Sequence, residues 1–365
     1  MIISRAWTTA ALVVLATTVA AEQIWKQASP DYKLSVPADH VSHPAYKIEW
    51  WYYTGNVESD RGRRFGYQLT FFRVGVEFAP LNPSRLAVRD VFIAHAAVTD
   101  AEGKRYLSGE RVSRAGVGAA GAGTFEYRVW NGDWQAHVID GRHKLQARDD
   151  KFSLDLDLVE DKPAVLNGDH GYSQKGTTPG NATEYYSLTR MPTEGTIFVD
   201  GERFAVKGSS WMDHEFGTTF LEKTQQGWDW LSLQLDDGTD LMAFRMRHAD
   251  GSVDTQSSGT LVAKGTAPRR LMAGDFTLTP GRRWTSPASG GSYPVEWQVV
   301  VPGDSLQLAV TPVLDGQEIV GARTSVKYWE GAVDVKGTRA GQPIAGRGYL
   351  EMTGYAGTAM GEMLR

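Results

Sequence analysis

The chain has 365 residues, of which 41% are hydrophobic and 11% aromatic, with 12 Trp, 40 Gly and no Cys. Such a length suits about two domains with sizeable cores, and without Cys their stability rests on packing rather than disulfides. A net charge of −5 leaves no basic excess to neutralise phosphates, so no nucleic-acid partner is expected.

In chain order, the first feature is a targeting segment. Arg5 is followed by an apolar stretch over residues 10–16, and small residues precede Glu22. This is the pattern of a signal peptide over residues 1–21, cleaved after Ala20 or Ala21. It is short of the ~20 apolar residues of a spanning helix, and no later stretch is apolar enough to span. The expectation is an exported, periplasmic protein with no transmembrane segment in the mature chain and an oligomeric state the sequence leaves open.

Strand signals dominate the rest. Residues 50–57 and 65–74 are rich in aromatic and β-branched side chains, with Glu58-Ser59-Asp60-Arg61-Gly62 between them as a hairpin loop. Residues 91–98, 125–130, 134–139, 143–147 and 152–158 continue the pattern, and 152–158 alternates strictly, one face buried and one wet. Residues 115–123, rich in Gly and Ala, read as a loop or a short helix. Residues 163–180 read as a long loop, a length that is often functional. Many short strands at regular spacing predict an all-β fold of barrel or sandwich type.

The two halves repeat each other. The run from Gly195 to Gly201 matches that from Gly331 to Gly337, and Gly208, Trp211 and Asp213 match Gly346, Tyr349 and Glu351. Earlier, Glu49-Trp50-Trp51-Tyr52 resembles Asp229-Trp230-Leu231-Ser232. The division expected is a lead-in over 22–39, a first domain over 40–222 and a second over 223–365.

The halves differ where chemistry could sit. Trp211-Met212-Asp213-His214-Glu215 carries three ionisable side chains in a row, and the matching segment of the second half does not. On a strand, Asp213 and Glu215 point to one face and His214 to the other, so either the carboxylates or the imidazole enter a barrel. A carboxyl in an apolar pocket would be a general acid, and His214 could serve near neutrality. The plainer role is a buried Asp-His pair holding loop backbone. Glu49, before Trp50 and Trp51, is either an acid among rings or a salt-bridge partner of Arg73 or Lys47. His40 and His43 flank a loop beside Pro44. His95 reads as a hydrogen-bonded core residue, and Asp229 faces away from Trp228 and Trp230. No His pair has zinc-helix spacing and no Cys is present, so neither a metal nor another cofactor is expected. There is no Gly-x-Ser-x-Gly elbow and no phosphate loop.

Several motifs carry a resemblance. His43-Pro44-Ala45-Tyr46-Lys47-Ile48-Glu49-Trp50-Trp51-Tyr52-Tyr53, Phe92-Ile93-Ala94-His95, Glu184-Tyr185-Tyr186-Ser187, Trp211-Met212-Asp213-His214-Glu215-Phe216-Gly217, Gly227-Trp228-Asp229-Trp230 and Tyr328-Trp329-Glu330-Gly331 occur in order along nearly the whole mature chain. Together they resemble the AttH-type, carotenoid 1,2-hydratase-like family. The resemblance implies two tandem lipocalin-like antiparallel β-barrels around an apolar, lipid- or isoprenoid-like small molecule. It implies no single activity, since the family spans hydratases, cyclisation catalysts and proteins labelled hydrolases. Asp213 and His214 match the family's Asp-His position, whereas Phe216 stands where the hydratases carry Trp. The expected catalytic groups are Asp213, His214 and Glu49, and the expected ligand contacts are Trp50, Tyr53, His95, Tyr185, Trp211, Trp228 and Trp230. The functions that follow are a cofactor-independent hydratase or isomerase, a carrier of an apolar ligand, or a hydrolase.

Overall fold

The computed structural model describes residues 24–357 apart from 80, 81, 83, 85 and 86. The expected signal peptide lies outside the described residues. Two large antiparallel sheets account for nearly all regular structure. The first holds β1 (Ile48–Ser59), β2 (Arg64–Gly75), β3 (Asp90–Asp100), β4 (Arg105–Arg114), β5 (Ala120–Ala122), β6 (Arg128–Asn131), β7 (Trp134–Ile139), β8 (Arg142–Arg148), β9 (Phe152–Val159), β10 (Val165–Leu166), β11 (Tyr172–Gln174), β12 (Ala182–Val199) and β13 (Glu202–Thr219). Its order is β4-β3-β2-β1-β13-β12-β9-β8-β7-β6-β5. Asn131, at the end of β6, donates its side-chain amide to the carbonyls of Phe92 and Arg111 on β3 and β4, which brings the two ends of the curled sheet together.

The second sheet holds β14 (Gln225–Leu235), β15 (Asp240–His248), β16 (Ser258–Val262), β17 (Arg269–Met272), β18 (Thr277–Pro280), β21 (Trp297–Val301), β22 (Leu306–Pro312), β23 (Glu318–Val320), β24 (Lys327–Arg339) and β25 (Gln342–Thr353); β19 (Arg283–Thr285) and β20 (Ser292–Pro294) form a separate ribbon. Its order, β17-β16-β15-β14-β25-β24-β22-β21-β18, retraces that of the first sheet. The fold is all-β, two curled lipocalin-like sheets in tandem. Residues 115–123, open between loop and helix in the sequence, contain the short strand β5, and the 163–180 loop contributes β10 and β11 to the edge of β12.

The ladders correct the sequence matching of the halves. Trp50 lies opposite Glu215, and Trp230 lies opposite Glu351, so Glu351 holds the place of Glu215 rather than of Asp213. A two-residue slide leaves every side chain on its own face, so alternation in sequence cannot detect it.

β1 explains the architecture. Its burial is nearly continuous, because both of its faces are covered. Trp51 and Tyr53 point into the first barrel's core with Phe71, Tyr186 and Met212. Ile48, Trp50 and Tyr52 point out of that barrel and pack with Phe72, Trp211, Trp228, Trp230, Phe244 and Tyr328 in a third apolar cluster between the halves. The halves approach closely at Gly66, where an added Cβ would lie 2.5 Å from Cβ of Ala332. Polar clamps complete the junction. Fully buried Asp240 accepts from Arg190, Thr189 and Lys162, and Arg64 pairs with Asp334 at 2.6 Å.

Candidate functional site

The third cluster encloses a cavity with about 570 Å³ unfilled by protein atoms, its mouth included. Strands of both halves supply its walls. β1 and β2 give Trp50, Tyr52, Thr70 and Phe72; β13 gives Asp213 and Glu215; β14, β15, β24 and β25 give Trp228, Trp230, Phe244, Met246, Tyr328, Glu330 and Glu351. Lys175 enters from the 163–180 loop, and Phe220 from the segment joining the sheets. Alternation along β13 sends Asp213 and Glu215 to this cavity and His214 into the first barrel. The choice left open by the sequence is therefore decided by what lies on the other side of the sheet.

Four carboxyl groups thus meet among aromatic rings, those of Asp213, Glu215 and Glu330 buried and that of Glu351 half-buried. Asp213 accepts from the Tyr185 hydroxyl at 2.6 Å, the Trp211 indole at 2.7 Å and Ser187. Burial nevertheless pushes its carboxyl up to about 7, with repulsion from Glu215 adding to the effect. Glu351 is pushed up to about 8 by burial and by the charges of Glu215 and Asp213. Glu330 lies directly opposite Glu351 in the ladder. Burial, then repulsion from Glu351, holds it well above the carboxylate range. One of its oxygens accepts from Tyr52 at 2.6 Å, while the other is buried with no protein partner among the described residues. Glu215 is also raised by burial, against the opposing pull of Lys175, which pairs with it at 3.0 Å. The Lys175 ammonium lies 4.3 Å from the Phe244 ring centroid and 4.8 Å from that of Tyr185.

The residues singled out in the sequence divide between two places. Asp213, Trp50, Trp228 and Trp230 line the cavity. Trp211 and Tyr185 stand behind Asp213, and the Trp230 indole donates to the Tyr185 hydroxyl at 3.2 Å. His95 lies one layer further out, 2.8 Å from the hydroxyl of Tyr328 and 3.3 Å from Glu110. Glu49, His214 and Tyr53 sit inside the first barrel, on the opposite face of the sheet. Glu49 is wholly buried and pairs with Arg73 at 3.0 Å, the salt bridge that its sequence context offers as one alternative. It accepts also from Ser42, from His43 and, at 3.0 Å, from His214 Nε2. Burial opposes its ionisation, but Arg73 and the two imidazoles outweigh this and hold it well below the usual range. Burial pulls His214 down to about 4, so at neutral pH it is an uncharged donor to Glu49. Asp213 and His214 do not form a working pair, because the sheet separates them. Asp229 faces into the second barrel, where Arg245 and Arg247 pair with it.

Sequence reasoning passed over Glu330, Glu351 and Lys175. The two glutamates occur singly in the second half, where no run of ionisable residues marks them. Their signal was strand parity, shared with Tyr328 and Tyr349 on one face.

The sequence profile of the AttH-like family matches residues 27–355. The chain belongs to the AttH-like family. The crystal structure of an AttH protein from Nitrosomonas europaea superposes with a TM-score of 0.82 at 35% identity, covering 91% of this chain and 100% of that one. Kievitone hydratase from Nectria haematococca has the same fold, with a TM-score of 0.68 at 18% identity over 87% of this chain and 92% of its own. The kievitone hydratase of Fusarium solani subsp. phaseoli is 22% identical over 244 residues, 65% of this chain and 67% of that protein. Among the described residues no helix is long and apolar enough to cross a membrane.

Proposed function

We propose that this AttH-like protein is a cofactor-independent hydratase acting by acid catalysis on an apolar, alkene-bearing small molecule held between its halves, in an exported compartment. The observation that carries this reading is the set of four carboxyls, three buried and that of Glu351 half-buried, facing aromatic rings in one cavity. Protonating an isolated double bond needs a desolvated acid, and the cation formed needs electron-rich faces nearby. Glu351, pushed up to about 8, keeps its proton at neutral pH and can transfer it to the alkene. The π electrons form the new C–H bond, and positive charge develops on the more substituted carbon beside Trp50, Trp228 or Trp230. Water then adds to that carbon, and its proton passes to Asp213, which near pH 7 is partly ionised and accepts it. The proton on Asp213 then returns to Glu351 by exchange with water, so the sum is alkene plus water giving an alcohol, with no oxidant or reductant. Glu330 stays protonated and keeps a second negative charge away from Glu351. The hydratase relatives support this reaction class.

The test is incubation with kievitone and with simple isoprenoid alkenes in H₂¹⁸O, followed by mass spectrometry. Incorporation of one labelled oxygen, lost in Glu351→Gln and Asp213→Asn while the ligand still binds, is the expected result. Tight binding of these molecules without label incorporation would instead establish a carrier and overturn the enzymatic reading.

A further inference from the structure

A second cluster of ionisable side chains, on the far side of the β1–β13 sheet from the cavity, is not used by the chemistry above. His40 ends a single helical turn over Ala38–His40, His143 lies on β8, and Glu160 directly follows β9. Residues so far apart in sequence converge on one point. His40 Nε2 lies 3.2 Å and His143 Nε2 2.9 Å from the same Glu160 oxygen, and all three ligating atoms fall within 4.8 Å of one another. Both imidazoles are buried, while the Glu160 side chain is 34% exposed, so the point is open to solvent on the carboxylate side.

We propose that His40, His143 and Glu160 form a binding site for a divalent first-row transition metal ion. Two imidazoles and a carboxylate suit such an ion, and bonds of ~2.0–2.2 Å in tetrahedral array put ligand atoms about 3.3 Å apart. The His40–Glu160 separation of 3.2 Å is close to that edge length, and the His143–Glu160 separation of 2.9 Å is shorter than it. The outward nitrogens are oriented by buried hydroxyls, His40 Nδ1 by Tyr186 at 2.5 Å and His143 Nδ1 by Tyr53 at 2.9 Å. Metal-bound histidines have such outer partners, which fix ring and tautomer.

The hydrogen count points the same way. Glu49 can only accept, so His214 Nε2 carries the hydrogen between them. The bare Nδ1 of His214 then takes the single hydrogen of the Tyr186 hydroxyl at 3.2 Å. Tyr186 is left as an acceptor toward His40, whose Nδ1 must supply a hydrogen. With one hydrogen placed at Nδ1, His40 turns Nε2 toward the Glu160 carboxylate without a hydrogen to donate unless a cation joins it. Two electron pairs facing each other at 3.2 Å require a cation between them. A proton can serve His40, and His143 can donate its own Nε2–H to Glu160 at 2.9 Å; a metal ion is the cation that would engage both imidazoles and the carboxylate at once, and titration with Zn²⁺ decides between them. The neighbouring trio His43, Glu49 and His214 offers no such site, because Arg73 already occupies Glu49 and His214 Nε2 is a donor.

The test uses the purified protein, stripped with a chelator and dialysed, titrated with Zn²⁺ alone by calorimetry and with Co²⁺ alone by visible absorption. One Zn²⁺ per chain and a Co²⁺ ligand-field band are expected, with affinity falling on acidification as the imidazoles protonate. Glu160→Gln is isosteric and partly exposed, so it should fold as the wild type does by circular dichroism while binding Zn²⁺ at least tenfold more weakly. His143→Gln should do the same, and His248→Gln, in the other half, should leave binding unchanged. Absence of saturable Zn²⁺ binding, or binding undiminished in folded Glu160→Gln, would overturn the site.

Discussion

Arg73→Met tests how the first barrel holds a charge in its core. Arg73 is 2% exposed and Glu49 fully buried. The guanidinium donates to Glu49 at 3.0 Å, to Asp90 at 3.0 Å, and to the carbonyls of His43 and Tyr46 at 3.1 and 2.9 Å. Removing one partner of a buried pair costs about 3–5 kcal/mol, because the other is left charged and desolvated. Losing a charged donor at two carbonyls adds to this, about 1 kcal/mol or less each where the chain can relax. Against these, His43 and Ser42 continue to donate to Glu49, and His43 is largely protonated at neutral pH: burial opposes its charge, but Asp39 and Glu49 lift it to about 9. The net expectation is a loss of about 4 kcal/mol, a large share of the ~5–15 kcal/mol of an ordinary domain. Urea unfolding followed by tryptophan fluorescence measures it, with Arg73→Met/Glu49→Gln as the closing corner of a double-mutant cycle. The double variant should recover about 2 kcal/mol, since the stranded charge is gone. A single variant that loses less than about 1 kcal/mol, or a cycle that closes additively, would refute the account of Glu49 as a charge neutralised by Arg73.

Other outcomes follow from the same structure. For the proposed hydration, the rate should be bell-shaped in pH, with limbs near the values about 7 and about 8 of Asp213 and Glu351; these limbs belong to the coupled pair, and Glu351→Gln should remove the alkaline one together with most of the activity. Trp228→Ala should lower turnover by roughly 30-fold, about 2 kcal/mol of lost stabilisation of a developing cation, with ligand binding reduced less; an unchanged kcat would contradict the role of the rings. Stability should fall as pH rises from about 6 to 9. The folded-state value of His43 is raised, so its contribution is complete below the unfolded 6.5 and is lost on passing through about 9. The raised values of Asp213 and Glu351 mean that the folded chain binds protons more tightly there too, which acts in the same direction. Thermal melts that rise across this range would contradict both assignments. Arg190→Met should cost about 3 kcal/mol by leaving Asp240 at the junction with Lys162 as its remaining cation, and should loosen the two halves, as limited proteolysis between Thr219 and Gln225 would reveal.

Much of the architecture was legible in the amino-acid sequence, for a local reason. Strands announce themselves through period-2 alternation and aromatic content, and turns through Gly, Asn and Asp, so the all-β class and the repetition of a hairpin-rich half could be read residue by residue. The motifs around Glu49, Trp211 and Trp228 were sufficient for the AttH-like family and its paired barrels. Sequence also marked Asp213, Trp50, Trp228 and Trp230, and the 163–180 loop that delivers Lys175. What it could not supply was the side of the sheet on which each group works. Alternation states that Asp213 and His214 are opposed, and nothing local states which of them meets the other half. That depends on the docking of two sheets through their outer faces, a contact between residues more than a hundred positions apart. The same long-range packing brings Glu330 and Glu351 to Asp213, withdraws Glu49 behind the sheet to Arg73, and gathers His40, His143 and Glu160 at one point. Local patterning determined the strands; the burial of both of their faces, which only tertiary packing decides, determined which side chains share the cavity between the halves.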